Sequence, residues 1–170
     1  MNFNNIRVRY TLAFCTIAFF FVILVAMNYR LVAKTEAGLK LFGNNFNPAI
    51  SSVINADRDL YQAKVAELKA MTISLGSQEA KENYQDYKDN AKQAFDRMQK
   101  YKALMSSYPE ALNKIRKFEA AFTEWKTQSE KVFTLVNNND LNAAKIQSDV
   151  PANTSFNTLR DFYNTAGEIA

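Results

Sequence analysis

The sequence predicts an all-α protein, with an N-terminal transmembrane helix followed by an antiparallel up-down-up-down four-helix bundle. Three observations predict it. Residues 12–27, LAFCTIAFFFVILVAM, form an apolar run without a charge. Two later stretches place apolar residues three and four apart for about 25 residues each. Only 4 Gly and 3 Pro punctuate the 170 residues, too few for a many-turned β fold, while the helix formers Ala, Lys, Gln, Glu, Leu and Met are abundant.

Residues 1–9 form a short N-terminus carrying Arg7 and Arg9. The transmembrane helix is placed at 10–29. Tyr10 and Thr11 extend the uncharged run to 18 residues, about 27 Å of helix, close to the thickness of a bilayer interior. Tyr10 and Tyr29 fall at the two interfaces, where amphipathic aromatics are favoured. A cleaved signal peptide is the rival reading. It calls for a shorter apolar core and a small-x-small site, and Met27-Asn28-Tyr29-Arg30 offers none. Lipidation at Cys15 is opposed by the bulky Phe14 before it and the apolar run after it.

Charge supports the anchor. Residues 1–34 hold Arg7, Arg9, Arg30, Lys34 and no acid, so the net charge of +4 resides there. The remaining 17 basic residues are matched by 17 acidic ones. That asymmetry fits membrane flanks and makes nucleic-acid binding an unexpected function. It gives a mild preference for a cytoplasmic N-terminus.

Residues 30–46 are read as a stalk and residues 47–170 as the bundle, with helices at about 47–75, 78–107, 110–137 and 140–170. The stretch Gly43-Asn44-Asn45-Phe46-Asn47-Pro48 is the weak point between stalk and bundle. The second helix repeats Tyr84, Tyr87, Ala91, Ala94, Met98, Tyr101, Met105, Tyr108; the third repeats Ala111, Ile115, Phe118, Phe122, Trp125, Ser129, Val132, Val136. Alternation of this kind marks helices packed at a shallow angle, and the aromatics on it are expected in the core. Ser77 is a candidate N-cap, Pro109 suits a first helical turn, and Asp140 or Asn139 can cap the fourth helix. That helix carries Phe156, Leu159, Tyr163, Ala166 and Ala170, and Pro151 must kink or split it. It reaches the base of the bundle near Ala170, where the sequence stops, so the chain is expected to be a fragment of a longer protein.

On the first helix, Ile54, Tyr61, Leu68 and Leu75 share one expected core position, seven apart. Ile50, Asp57, Lys64 and Met71 share a second, which puts two charges on the apolar stripe. Buried charge is costly unless paired or wet. Three readings stand side by side: structural pairing, including polar register-setting at a dimer interface; ligand binding, Arg58 holding a carboxylate by its planar fork; and a solvated face.

The anchor, the long first helix, the bundle and the stretch Asn55-Ala56-Asp57-Arg58-Asp59-Leu60-Tyr61-Gln62-Ala63 together resemble the ligand-binding region of methyl-accepting chemotaxis proteins. The resemblance covers nearly the whole chain. It implies a sensor facing the periplasm from the inner membrane, a homodimer formed through the first helix, and a small-molecule ligand such as an amino acid or organic acid. Arg58 lies where aspartate and serine receptors place a ligand-binding arginine. Their further arginines, about five and nine residues on, are replaced here by Ala63 and Glu67, with Lys64 nearby. The resemblance thus implies a ligand site at Asp57, Arg58, Tyr61 and Lys64, with Asn153 and Thr154 from the fourth helix. The same module serves some histidine kinases and diguanylate cyclases, and a single-pass helical scaffold without ligand is a further alternative. No enzyme is expected. The chain has no histidine, one thiol inside the apolar run and no glycine-rich phosphate loop, so neither a cofactor nor a metal site is expected.

Overall fold

A computed structural model describes residues 6–169. Ala170 and the first five residues, named above as the end of the fourth helix and as part of the N-terminus, lie outside the described residues. The chain divides into two compact units, at 1–43 and 44–170.

In the first unit, helix α1 (Ile6–Leu41) carries a window of mean hydropathy 2.4 and buries none of its residues against the protein. It is long and apolar enough to cross a membrane. Its polar side chains turn back onto its own backbone: Thr16 Oγ1 donates to the Leu12 carbonyl at 2.9 Å and Asn28 Nδ2 to the Leu24 carbonyl at 2.8 Å. A π-helical turn follows at Phe42–Phe46, on the expected weak point. Pro48, which lacks an N–H, stands in the first turn of the next helix.

The second unit contains α2 (Asn47–Ala70), α3 (Gln78–Leu104), α4 (Pro109–Lys114), α5 (Phe118–Asn137), α6 (Leu141–Gln147) and α7 (Asn153–Ile169), with a second π-helical turn at Ser148–Ala152. No strand occurs among the described residues. The fold is the predicted all-α four-helix bundle, with α4–α5 as its third member and α6–α7 as its fourth.

Cross-helix contacts fix the antiparallel register. Asn83 on α3 donates to the Ala66 carbonyl and Arg97 to Asp59, so α3 descends as α2 rises. On α5, Phe133 meets Tyr84 and Phe118 meets Phe95. Along the fourth member, Ser148 meets Lys64 and Arg160 meets Asp57. The caps act as expected: Ser77 accepts from the Ala80 amide at 3.1 Å and Asp140 from the Ala143 amide at 3.0 Å. Gly76 (φ 73°) and Asn139 (φ 60°) turn the chain in the left-handed region.

Three details differ from the sequence reading. α2 ends at Ala70 and α3 at Leu104, a few residues early. The third helix is interrupted at 115–117, although its repeat stays buried across the break. Tyr84 is 38% exposed, because it lies at the open end of the aromatic stack. Pro151 splits the fourth helix into α6 and α7, as the sequence allowed, through a π-helical turn that accommodates the missing N–H by widening the helix.

The largest correction concerns α2. Ile54, Tyr61, Leu68 and Leu75 are exposed, not buried. The core face is Ala49, Val53, Ala56, Leu60, Ala63, Glu67 and Ala70, again spaced four and three. Small alanines bring α2 close to its neighbours, and the bulk of the core comes from Tyr87, Met98, Tyr101, Phe118, Trp125 and Tyr163. At the other end of the bundle, Glu119 joins α5 to α3 through Lys102 and Gln99. Burial raises its carboxyl, but these donors and its own amide more than offset that and hold it below its usual value.

Candidate functional site

The charged residues of α2 sort by helical angle into separate groups. Asp57 and Asp59, two apart, point to different neighbours. Asp59 is 1% exposed and lies between two guanidiniums. Its Oδ1 accepts from Arg58 Nε at 3.1 Å and Nη2 at 2.8 Å, and its Oδ2 accepts from Arg97 Nε at 2.5 Å. One carboxylate thus answers two cations, and the Arg58 side chain remains 54% exposed. Asp57 turns the other way and accepts from Arg160 Nε at 3.2 Å. The Arg160 guanidinium sits 4.7 Å from the Tyr61 ring centre, and that ring meets Phe156 edge to face at 5.2 Å.

Further along α2, Lys64 points inward, and its partner is Glu67, which sequence reasoning left without a role. Glu67 is fully buried. Its Oε1 accepts from Lys64 Nζ and from Ser148 Oγ, each at 2.6 Å, and its Oε2 accepts from Ser129 Oγ. Lys64 also reaches Ser148 Oγ at 3.3 Å. The cluster ties α2 to α5 and to the π-helical turn around Pro151. Beside it, Gln147 Nε2 donates to Gln128 Oε1 at 2.7 Å. A repeat position occupied by Glu between Leu60 and Ala70 is the sequence signal that marks this network.

The two charges expected on an apolar stripe, Asp57 and Lys64, are therefore each paired within the chain. Asn153 and Thr154 are exposed. Thr154 opens onto a groove of about 340 Å³ between α5 and α7, with Glu124, Gln128 and Thr158. Arg58 faces the α3 side of α2. The structure brings Asp57 and Tyr61 together through Arg160, but within one chain Arg58 and Thr154 do not share a cavity.

The outer face of α2 is the other notable feature. Ile54, Arg58, Tyr61, Val65 and Leu68 are spaced four and three, opposite the buried repeat. Ile54, Tyr61, Val65 and Leu68 are 63, 40, 60 and 44% exposed. An apolar seam at coiled-coil spacing thus carries a guanidinium in its middle.

A family model described as a four helix bundle sensory module for signal transduction matches residues 2–163, nearly the whole chain. Comparison with curated proteins and with solved structures gave no match. The four-helix-bundle fold agrees with that description, and the chain belongs to the four-helix-bundle sensory modules of chemotaxis receptors.

Proposed function

We propose that the bundle is the ligand-sensing domain of a chemoreceptor, held in the inner membrane by α1 with the bundle on the periplasmic side, and paired with a second copy through α2. The observation that carries this reading is the outer seam of α2. Large apolar side chains at heptad spacing, left in water, favour association with a like helix. Arg58 would then lie at the subunit junction, where its exposed guanidinium can take a carboxylate from an amino acid or organic acid. Asp57, Tyr61, Asn153 and Thr154 are the further polar groups assigned to this site, drawn from either subunit. Lys64, locked to Glu67, has a structural role. The domain carries out no chemical step. It passes a change in subunit packing to α1.

A thermal-shift screen of amino acids, organic acids and amines on the detergent-solubilised chain tests the reading. A ligand at 100 times its dissociation constant is expected to stabilise the bundle by about 2.7 kcal/mol. Arg58→Ala is expected to weaken binding by about 1.5–3 kcal/mol, the size of a charge-assisted hydrogen bond, while the helix content stays unchanged. Full-affinity binding by that variant would remove Arg58 from the site.

A further inference from the structure

The end of the bundle closed by the α2–α3 connection holds a cavity of about 250 Å³. It lies beyond Ala70, about 18 Å along α2 from Arg58, so it is separate from the seam described above. Its walls are apolar and aromatic. Tyr84 and Phe133 line it with ring centres 5.0 Å apart, together with Leu75 and Val136. Asn83 and Asn137 add amides, and Lys81 is the one ammonium; no carboxylate lines it.

Lys81 differs from the lysines around it. Lys69 is paired with Glu79, and Lys88 lies over the Tyr84 ring. Lys81 makes no ion pair among the described residues. An unpaired cation at the mouth of an aromatic-walled cavity favours an anion whose body is apolar. Size narrows the choice. An apolar cavity of about 150 Å³ accommodates benzene, so this one has room for a six-membered ring and a carboxylate. We infer that the cavity binds a compact aromatic carboxylate, with its ring packed on Tyr84 and Phe133 and its charge on Lys81. The wall is continuous with the core. Both rings contact Tyr87, at 6.1 Å and 4.7 Å, and Tyr87 contacts Trp125.

Titration calorimetry of benzoate into the full chain in detergent tests this site independently of the subunit seam. Benzoate is expected to bind, and benzylamine, of similar shape and opposite charge, is not. Lys81→Gln is expected to weaken benzoate at least tenfold and Lys81→Arg to restore most of the affinity. The fold of the Lys81 variants is checked by an unaltered circular dichroism spectrum, which an exposed lysine should not disturb. No benzoate binding at millimolar concentration, equal binding of benzylamine, or an unaltered affinity in Lys81→Gln would overturn the inference. Loss on Arg58→Ala alone would also overturn it and would place the anion on the α2 seam.

Discussion

Replacing Glu67 by Ala is expected to destabilise the bundle by about 3–5 kcal/mol, because it leaves the Lys64 ammonium buried with no opposing charge. The Lys64 side chain is only 10% exposed, and Glu67 not at all. The carboxylate also accepts the Ser129 and Ser148 hydroxyls, so three donors lose their acceptor at once. Removing both charges should be much less damaging. In Lys64→Met combined with Glu67→Leu, the cost of burying ions disappears together with their attraction, and the pair is expected to recover most of the loss. Denaturant midpoints of Glu67→Ala, of the single Lys64→Met and Glu67→Leu variants, and of the double variant measure this. A double variant as unstable as the sum of the single ones would show that Lys64 and Glu67 are not coupled, and would contradict this account. Since the network holds the π-helical turn at Ser148–Ala152 against α2, the double variant should also show faster amide exchange in that turn.

The second large effect is alkaline unfolding. The hydroxyls of Tyr87, Tyr101 and Tyr163 are buried and have no hydrogen-bond partner among the described residues. The Ser129 hydroxyl lies beside Tyr87, but its geometry commits it to Glu67. Burial pushes Tyr87 far above the ordinary tyrosine range, the Ser129 hydroxyl only partly offsetting it. Burial does the same to Tyr163, and the charges of Asp57 and Asp59 add to it. The folded state therefore keeps phenolic protons that the unfolded chain releases near pH 10. Above that pH the unfolded state binds fewer protons, so stability falls as pH rises; below it the contribution is constant. The two tyrosines together are expected to remove about 3 kcal/mol per pH unit. Phenolate absorbance from the buried set should appear only as helical circular dichroism is lost. Phenolate formation well before unfolding would show that these hydroxyls reach water in the native state.

Much of the bundle was legible because its second and third helices use large side chains on a regular repeat, and burial of those residues follows directly from area. α2 was misread for a physical reason. Its core repeat is built from Ala49, Ala56, Ala63 and Ala70 with Val53, Leu60 and Glu67 between them. Alanine gives little hydrophobic signal, and a carboxylate in the repeat argues against burial unless its partners are known. Those partners, Ser129 and Ser148, lie 62 and 81 residues away. The large residues Ile54, Tyr61, Leu68 and Leu75 drew the stripe to the opposite face. The candidate site followed the same pattern. Asp57, Arg58 and Asp59 were visible as a charged triplet, but Arg97 and Arg160, which decide where each acid points, carried no local mark. The buried status of Lys64 depended on Glu67 three residues on, a spacing readable in the sequence once Glu67 is placed on the inner face.

Single cysteines at each position from 50 to 71, in the full chain with Cys15 replaced by Ser, test the central claim most directly: that α2 turns its larger apolar side chains outward to meet a second copy. Oxidation in membranes is expected to give disulfide dimers with maxima at positions 54, 61, 65 and 68 and minima at the inner positions 53, 56, 60, 63 and 67, which the bundle core occupies. Flat crosslinking along α2, or maxima at the inner positions, would contradict it.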